Sequence, residues 1–194
     1  MKTTRVWDRT WLAGATLALA LAVSGCLLAT EEATKMLGMG DRAPEFSGTD
    51  QNGKTVSLSA YQDKQAVVLY FYPKDFTPGC TKEACSFRDA YEVFADAGAA
   101  VIGVSGDTAE SHQKFTTEHK LPFSLISDSK GKIRSAFGVP RTAGLIPGRV
   151  TFVIDKKGII RFRFSSQTDI QKHVGDALAE VKKLSGVTPP KPVE

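Results

Sequence analysis

Apolar and polar positions change their spacing several times along the chain, and each change predicts an element. Residues Ala66-Val67-Val68-Leu69-Tyr70-Phe71-Tyr72 are apolar without alternation, which predicts a strand buried on both faces. From about Cys80 to Ala97 the spacing turns helical, with Ala84, Phe87, Tyr91 and Phe94 three or four residues apart and Gly98 placed to stop the helix. Ala99 to Val104 predicts a second buried strand. Asp107 or Thr108 can cap a helix running to about Lys120, Pro122 bars its continuation, and Phe123 to Ser127 predicts a short strand. Lys130 to Phe137 has room for one or two helical turns. Val150 to Asp155 and Ile159 to Phe164 flank Lys156-Lys157-Gly158, a hairpin pattern, and residues 169–184 close the series as an amphipathic helix. Upstream, Asn52-Gly53 followed by Thr55 to Leu58 predicts a turn and short strand at a sheet edge. The order β-α-β-α-β-(α)-β-β-α predicts an α/β sandwich with a mixed sheet.

Composition agrees with one globular domain carrying appendages: 194 residues, 42% hydrophobic and 24% charged. The formal charge of +4 is spread among acids and partly N-terminal, so no nucleic-acid partner is expected. Residues 1–25 read as a signal peptide, with Lys2, Arg5 and Arg9 ahead of an apolar stretch, Leu12 to Val23, too short to favour a spanning helix. The stretch ends in Leu21-Ala22-Val23-Ser24-Gly25-Cys26, which resembles the lipobox of bacterial lipoproteins. That resemblance implies cleavage before Cys26, lipidation there, and a lipid-anchored, extracytoplasmic place in the cell envelope, the alternative being a soluble periplasmic or secreted protein. Residues 26–39 read as a tether, 40–186 as the domain, and the Pro-rich 187–194 as a disordered tail.

The remaining cysteines, Cys80 and Cys85, lie in Pro73-Lys74-Asp75-Phe76-Thr77-Pro78-Gly79-Cys80-Thr81-Lys82-Glu83-Ala84-Cys85, directly after the first buried strand. A strand running through a Pro/Gly turn into a helix sets Cys80 near a helix N-terminus, which favours the thiolate. A structural staple is the plainer alternative, but a bridge closing so short a loop removes little unfolded-chain entropy. If both cysteines share an intact helix, their Cα atoms stand about 8.7 Å apart and about 140° around the axis, whereas a disulfide seldom spans more than about 7 Å. A bridge between them therefore requires the helix to open. His112, His119 and His173 fall among polar residues on predicted helices and read as solvated, with no spacing that suggests a metal. Glu83 and Arg88 read as solvated or ion-paired helix charges. Phe71, Tyr72 and Phe76 read as core before they read as a substrate collar.

The segment Pro73-x-x-x-Thr77-x-x-Cys80 resembles the active-site signature of peroxiredoxins. Its continuation through Cys85-Ser86-Phe87-Arg88-Asp89, with Leu145-Ile146-Pro147-Gly148-Arg149-Val150 further on, is similar to the bacterioferritin-comigratory-protein or peroxiredoxin Q branch. The resemblance implies a thioredoxin-like sandwich, a central mixed sheet flanked by helices, and a peroxidase for hydrogen peroxide and organic hydroperoxides that needs no cofactor or metal. It implies Cys80 as the attacking thiol and Cys85 as the one that closes an intramolecular disulfide. Arg149 is then the guanidinium beside the sulfur, Thr77 a hydroxyl for the thiolate or peroxide, and Pro73 a wall of the pocket. A thioredoxin-like dithiol would recycle a monomeric enzyme. Two other readings stay open on the residues alone: a thioredoxin-type oxidoreductase, which wants two residues between its cysteines rather than four, and a non-catalytic envelope lipoprotein.

Overall fold

The structure, a computed structural model, describes residues 36–142 and 144–186. The expected signal peptide, Cys26 and the tail 187–194 lie outside the described residues, as does the tether up to residue 35. Strands β1 (Ser47–Thr49) and β2 (Thr55–Ser57) pair antiparallel around Asn52-Gly53, where Gly53 takes the left-handed backbone that glycine tolerates. The Asp50 carboxylate accepts the Asn52 and Lys54 N–H groups and holds this turn. There follow β3 (Ala66–Phe71), α1 (Pro78–Asp89), α2 (Tyr91–Asp96), β4 (Ala99–Ser105), α3 (Ala109–His119) and β5 (Ser124–Ser127). A short α4 (Lys132–Ala136), the two-residue strands β6 (Arg141–Thr142) and β7 (Ile146–Pro147), β8 (Val150–Ile154), β9 (Ile160–Ser165) and α5 (Ile170–Leu184) complete the order.

The main sheet runs β5-β4-β3-β8-β9, with β3, β4 and β5 parallel and β8 and β9 antiparallel to their neighbours. This is the mixed sheet expected, in a thioredoxin-like α/β fold. Strand alternation assigns the two faces. Val68, Tyr70 and Tyr72 point toward Phe87, Phe94, Phe115 and Val181 from the helices, while Val67, Leu69 and Phe71 pack with Phe46, Val56, Phe137 and Phe152. Burying each of these apolar side chains contributes about 1.5–3 kcal/mol. Gly103 on β4 makes the first face possible, because a Cβ there would stand 2.5 Å from Leu125 and 2.7 Å from the Tyr70 ring. Tyr70 uses that room to stack on Phe87 at 4.5 Å.

The single helix expected from Cys80 to Ala97 is two. The break falls at Ala90, with φ −97° and ψ 1°, outside helical geometry. In a straight helix Phe87 and Phe94 would be separated by about 10.5 Å along the axis; the bend lets their rings meet at 6.0 Å over the sheet. Caps elsewhere follow the sequence. The Thr108 hydroxyl accepts the Ser111 N–H at the start of α3, Lys120 ends it in left-handed backbone, and Asp169 caps α5.

Candidate active site

Register sets the site. Because Phe71 pairs with Val150, the residues leaving β3 and those entering β8 meet at one end of the sheet. Pro73, the loop to Thr77, and Arg149 therefore converge there. Helix α1 begins with Thr77 as its extended N-cap residue and Pro78 in the first turn, a position where a missing N–H costs nothing. Cys80 sits in that first turn, buried at 1% exposure, with the helix N-terminus favouring negative charge on its sulfur. Cys85 is half-buried in the same unbroken helix, and both thiols are free.

Arg149 is buried and its Nη2 donates to the Cys80 sulfur at 3.2 Å. Its Nη1 donates to the Glu83 carboxylate, which is fully buried. Gly148 permits this approach: its N–H bonds the Pro140 carbonyl, and a Cβ on it would lie 2.3 Å from that oxygen. Burial opposes the arginine's charge, and the Glu83 and Cys80 charges more than restore it. Burial likewise pushes the Glu83 carboxyl up, to about 7, against the pull of Arg149. The other Glu83 oxygen has no hydrogen-bond partner and faces His173 Nδ1 at 3.8 Å.

His173 is fully buried on α5, not solvated as expected from its polar neighbours. Its Nε2 can only donate to the Ser166 carbonyl, at 2.9 Å, so Nδ1 accepts the Thr151 hydroxyl at 2.8 Å. Burial and the Arg149 charge push its pKa down, to about 4, so the ring is neutral. His112 is buried too. Its Nδ1 meets the Asp75 carboxylate at 2.8 Å, and the Tyr72 and Ser111 hydroxyls donate to the same group, each at 2.7 Å. The sequence reading missed this cluster because helical spacing does not tell which polar face is covered.

The Asp75 cluster anchors the loop that leads into α1. Phe76 follows it with φ 59°, a left-handed conformation costly for an aromatic residue, and packs against Phe115 at 5.1 Å. The next residue, Thr77, does not reach the sulfur: its hydroxyl donates to the Lys74 carbonyl at 3.0 Å. Its oxygen is left as an acceptor. Pro73 is half-buried beside Tyr72. Burial pushes the Asp75 carboxyl up, but the His112, Tyr72 and Ser111 donors outweigh it and hold the group below 3.8. A depressed carboxyl stabilises the fold above its unfolded pKa and loses that contribution as pH falls through the folded value. Asp75→Asn, which breaks a buried pair, is expected to lower unfolding free energy by about 3 kcal/mol near neutrality. In urea titrations the gap should shrink as pH falls below the ordinary carboxylate range; equal stability of the two proteins at pH 7 would dismiss the anchoring role.

Sequence reasoning brought Cys80 and Arg149 to one place and left Glu83 out. A usable signal existed. Glu83 is three residues from Cys80 and four from Phe87, hence on the buried face of α1, where a carboxylate requires a partner. Arg88, half-exposed, pairs with Asp89 and donates to the His119 carbonyl at 2.9 Å. Among the described residues no group of His, Cys, Asp and Glu is placed to hold a metal ion, and no helix is long and apolar enough to cross a membrane.

Residues 39–163 match the model of the AhpC/TSA family. A wheat (Triticum aestivum) protein named peroxiredoxin Q, chloroplastic, is 51% identical over 146 residues, 75% of this chain and 67% of that one. The crystal structure of peroxidoxin BcpB from Mycobacterium tuberculosis superposes with a TM-score of 0.71 at 36% identity, covering 76% of this chain and 98% of that one. Peroxiredoxin Q of Xanthomonas campestris follows at 0.67 and 29%, covering 72% and 91%. The wheat protein, like other plant relatives, is named chloroplastic. These names overturn the expected extracytoplasmic place in a cell envelope. The apolar stretch before Cys26 misled that reading, because a short basic and apolar N-terminus serves more than one kind of targeting.

Proposed function

We propose, given that this chain belongs to the AhpC/TSA family and is a thiol-dependent peroxidase of the peroxiredoxin Q branch, that Cys80 attacks the peroxide and Cys85 resolves the product. The observation that carries this assignment is the Arg149 guanidinium, shared between the Cys80 sulfur and the buried Glu83. A guanidinium stays charged at any physiological pH and favours the thiolate.

The thiolate attacks the terminal oxygen of a hydroperoxide. A sulfur–oxygen bond forms, the oxygen–oxygen bond breaks, and its electron pair leaves on the second oxygen, which takes a proton from water. Arg149 stabilises that charge, together with first-turn N–H groups of α1 that have no helical acceptor. Thr77, whose hydroxyl donates its hydrogen bond to the Lys74 carbonyl, accepts from the peroxide hydroxyl instead of donating to sulfur. The Cys80 sulfenic acid then condenses with the Cys85 thiol, forming a disulfide and releasing water. A thioredoxin-type dithiol reduces it, becoming a disulfide in turn. One chain supplies both cysteines, which makes the monomer the working unit, with residues 40–186 as its catalytic part and 1–25 as a removable targeting segment.

Both cysteines belong to the single helix Pro78–Asp89, so the i, i+5 geometry applies and the disulfide cannot close until α1 opens. Opening takes Glu83 away from Arg149. Titration of reduced protein with hydrogen peroxide is expected to consume one peroxide for each Cys80–Cys85 bridge, located by mass spectrometry of the cleaved, unreduced chain. Peroxide consumption with the Cys85 thiol left free in monomeric product would dismiss the assignment.

A further inference from the structure

Taking Cys80 as the reacting thiol, we propose that Arg134 is a second arginine of this site. It is a positioning residue that clamps the two segments framing Cys80 and adds positive charge to the field holding the thiolate. Arg134 lies on α4, outside every motif read from the sequence, and is buried at 8% exposure. Its Nη1 donates to the Gly148 carbonyl at 2.7 Å and its Nη2 to the Tyr72 carbonyl at 2.9 Å. Gly148 immediately precedes Arg149, and Tyr72 immediately precedes Pro73. One planar fork thus ties together the two strand ends that meet at the site, a task for which a lysine's single ammonium has no equivalent. The guanidinium also lies over the Phe71 ring, 5.5 Å from its centroid. Asp128 fixes where the side chain starts by accepting the backbone N–H groups of Ile133 and Arg134 at 3.1 and 2.8 Å.

The charge is harder to explain by packing. Among the described residues no carboxylate forms an ion pair with the Arg134 guanidinium, and burial opposes its charge. A buried cation held by carbonyls alone is costly. After burial, Asp128 weighs most and favours the charge, Arg141 opposes it, and Cys80 and then Tyr72 favour it less strongly. Pairwise attraction is mutual: if the Cys80 thiolate favours charged Arg134, Arg134 favours the thiolate. The other groups bearing on Cys80 are Arg149, just ahead of β8, and Tyr70 from β3, while Glu83 on the same helix acts through its pair with Arg149. Arg134 reaches the Tyr72 and Gly148 carbonyls from α4, next to the residues that frame Cys80, so positive charge comes to the site from a second element besides the one that carries Arg149.

The test is the pH profile of single-turnover peroxide consumption by the full chain, read beside thermal stability. Arg134→Met keeps an apolar stem and removes the charge and both donors. It is expected to move the acid-side midpoint up by about one unit and to slow the reaction at pH 7 roughly tenfold. Arg134→Lys should return the midpoint to within a few tenths of the parent while recovering only part of the rate, because the charge is restored and the fork is not. Val181→Ala, a core truncation on α5, should lower Tm and leave the midpoint unchanged. A lowered Tm with an unmoved midpoint in Arg134→Met, or an Arg134→Lys profile matching Arg134→Met, would overturn the proposal. Should Arg134→Met not fold, Arg134→Gln, which keeps one amide donor, is read by the same midpoint. Failure of the Cys80 assignment is seen separately, as undiminished peroxide consumption by Cys80→Ser.

Discussion

Cys80→Ser is expected to abolish peroxide reduction while leaving the fold in place. A serine hydroxyl is scarcely ionised near neutrality and is a poor nucleophile toward an oxygen–oxygen bond, so Arg149 and the helix N-terminus have no anion to stabilise. The expected loss is at least about four orders of magnitude in the second-order rate constant. The remaining Cys85 is half-buried on α1 with Arg88 beside it and not Arg149, and the residual rate of the variant is the rate that this thiol supports alone. Stopped-flow consumption of hydrogen peroxide by the reduced protein measures this, with Tm as the control on folding. A rate within tenfold of the parent would place the reacting thiol elsewhere.

Cys85→Ser separates the two halves of the cycle. Cys80, Arg149 and Glu83 are untouched, so one equivalent of peroxide should be consumed at close to the parent rate. The product is then a sulfenic acid with no thiol to condense with, and turnover supported by a thioredoxin-type dithiol is expected to fall by about 100-fold or more. Further peroxide should drive Cys80 to the sulfinic state. The variant also isolates the helix motion. Oxidation of the parent should raise amide hydrogen exchange across residues 80–87, because the disulfide excludes an intact α1, whereas oxidation of Cys85→Ser should not. Turnover of the variant equal to the parent would remove Cys85 from the resolving role, and unchanged exchange in the oxidised parent would remove the opening of α1.

The expected elements follow from local rules. The run from Ala66 to Phe71 is buried at every position, as an apolar strand without alternation must be, and Thr108 and Asp169 cap helices where their side chains can reach free N–H groups. The break at Ala90 was not visible, because no proline or glycine marks it. It answers to the meeting of Phe87 and Phe94 over a sheet that periodicity does not describe. The histidines failed for a related reason: His112 and His173 have polar neighbours in sequence, yet Asp75 on another element and Ser166 in the turn before α5 provide the partners that make their burial tolerable.

Cysteine spacing and the turn before Cys80 were enough to indicate thiol chemistry and to show that a Cys80–Cys85 bridge would need α1 to open, since those statements depend on helix geometry and a short stretch of chain. The position of Arg149 against the sulfur, the pairing of Glu83 with that arginine, the turning of Thr77 toward Lys74 and the clamp of Arg134 across two strand ends depend on contacts made only when β3 and β8 come into register. Sequence alone determined which atoms can react. The tertiary structure decided which charges surround them, because burial and distance set the strength of each charge, and neither is a property of the chain before it folds.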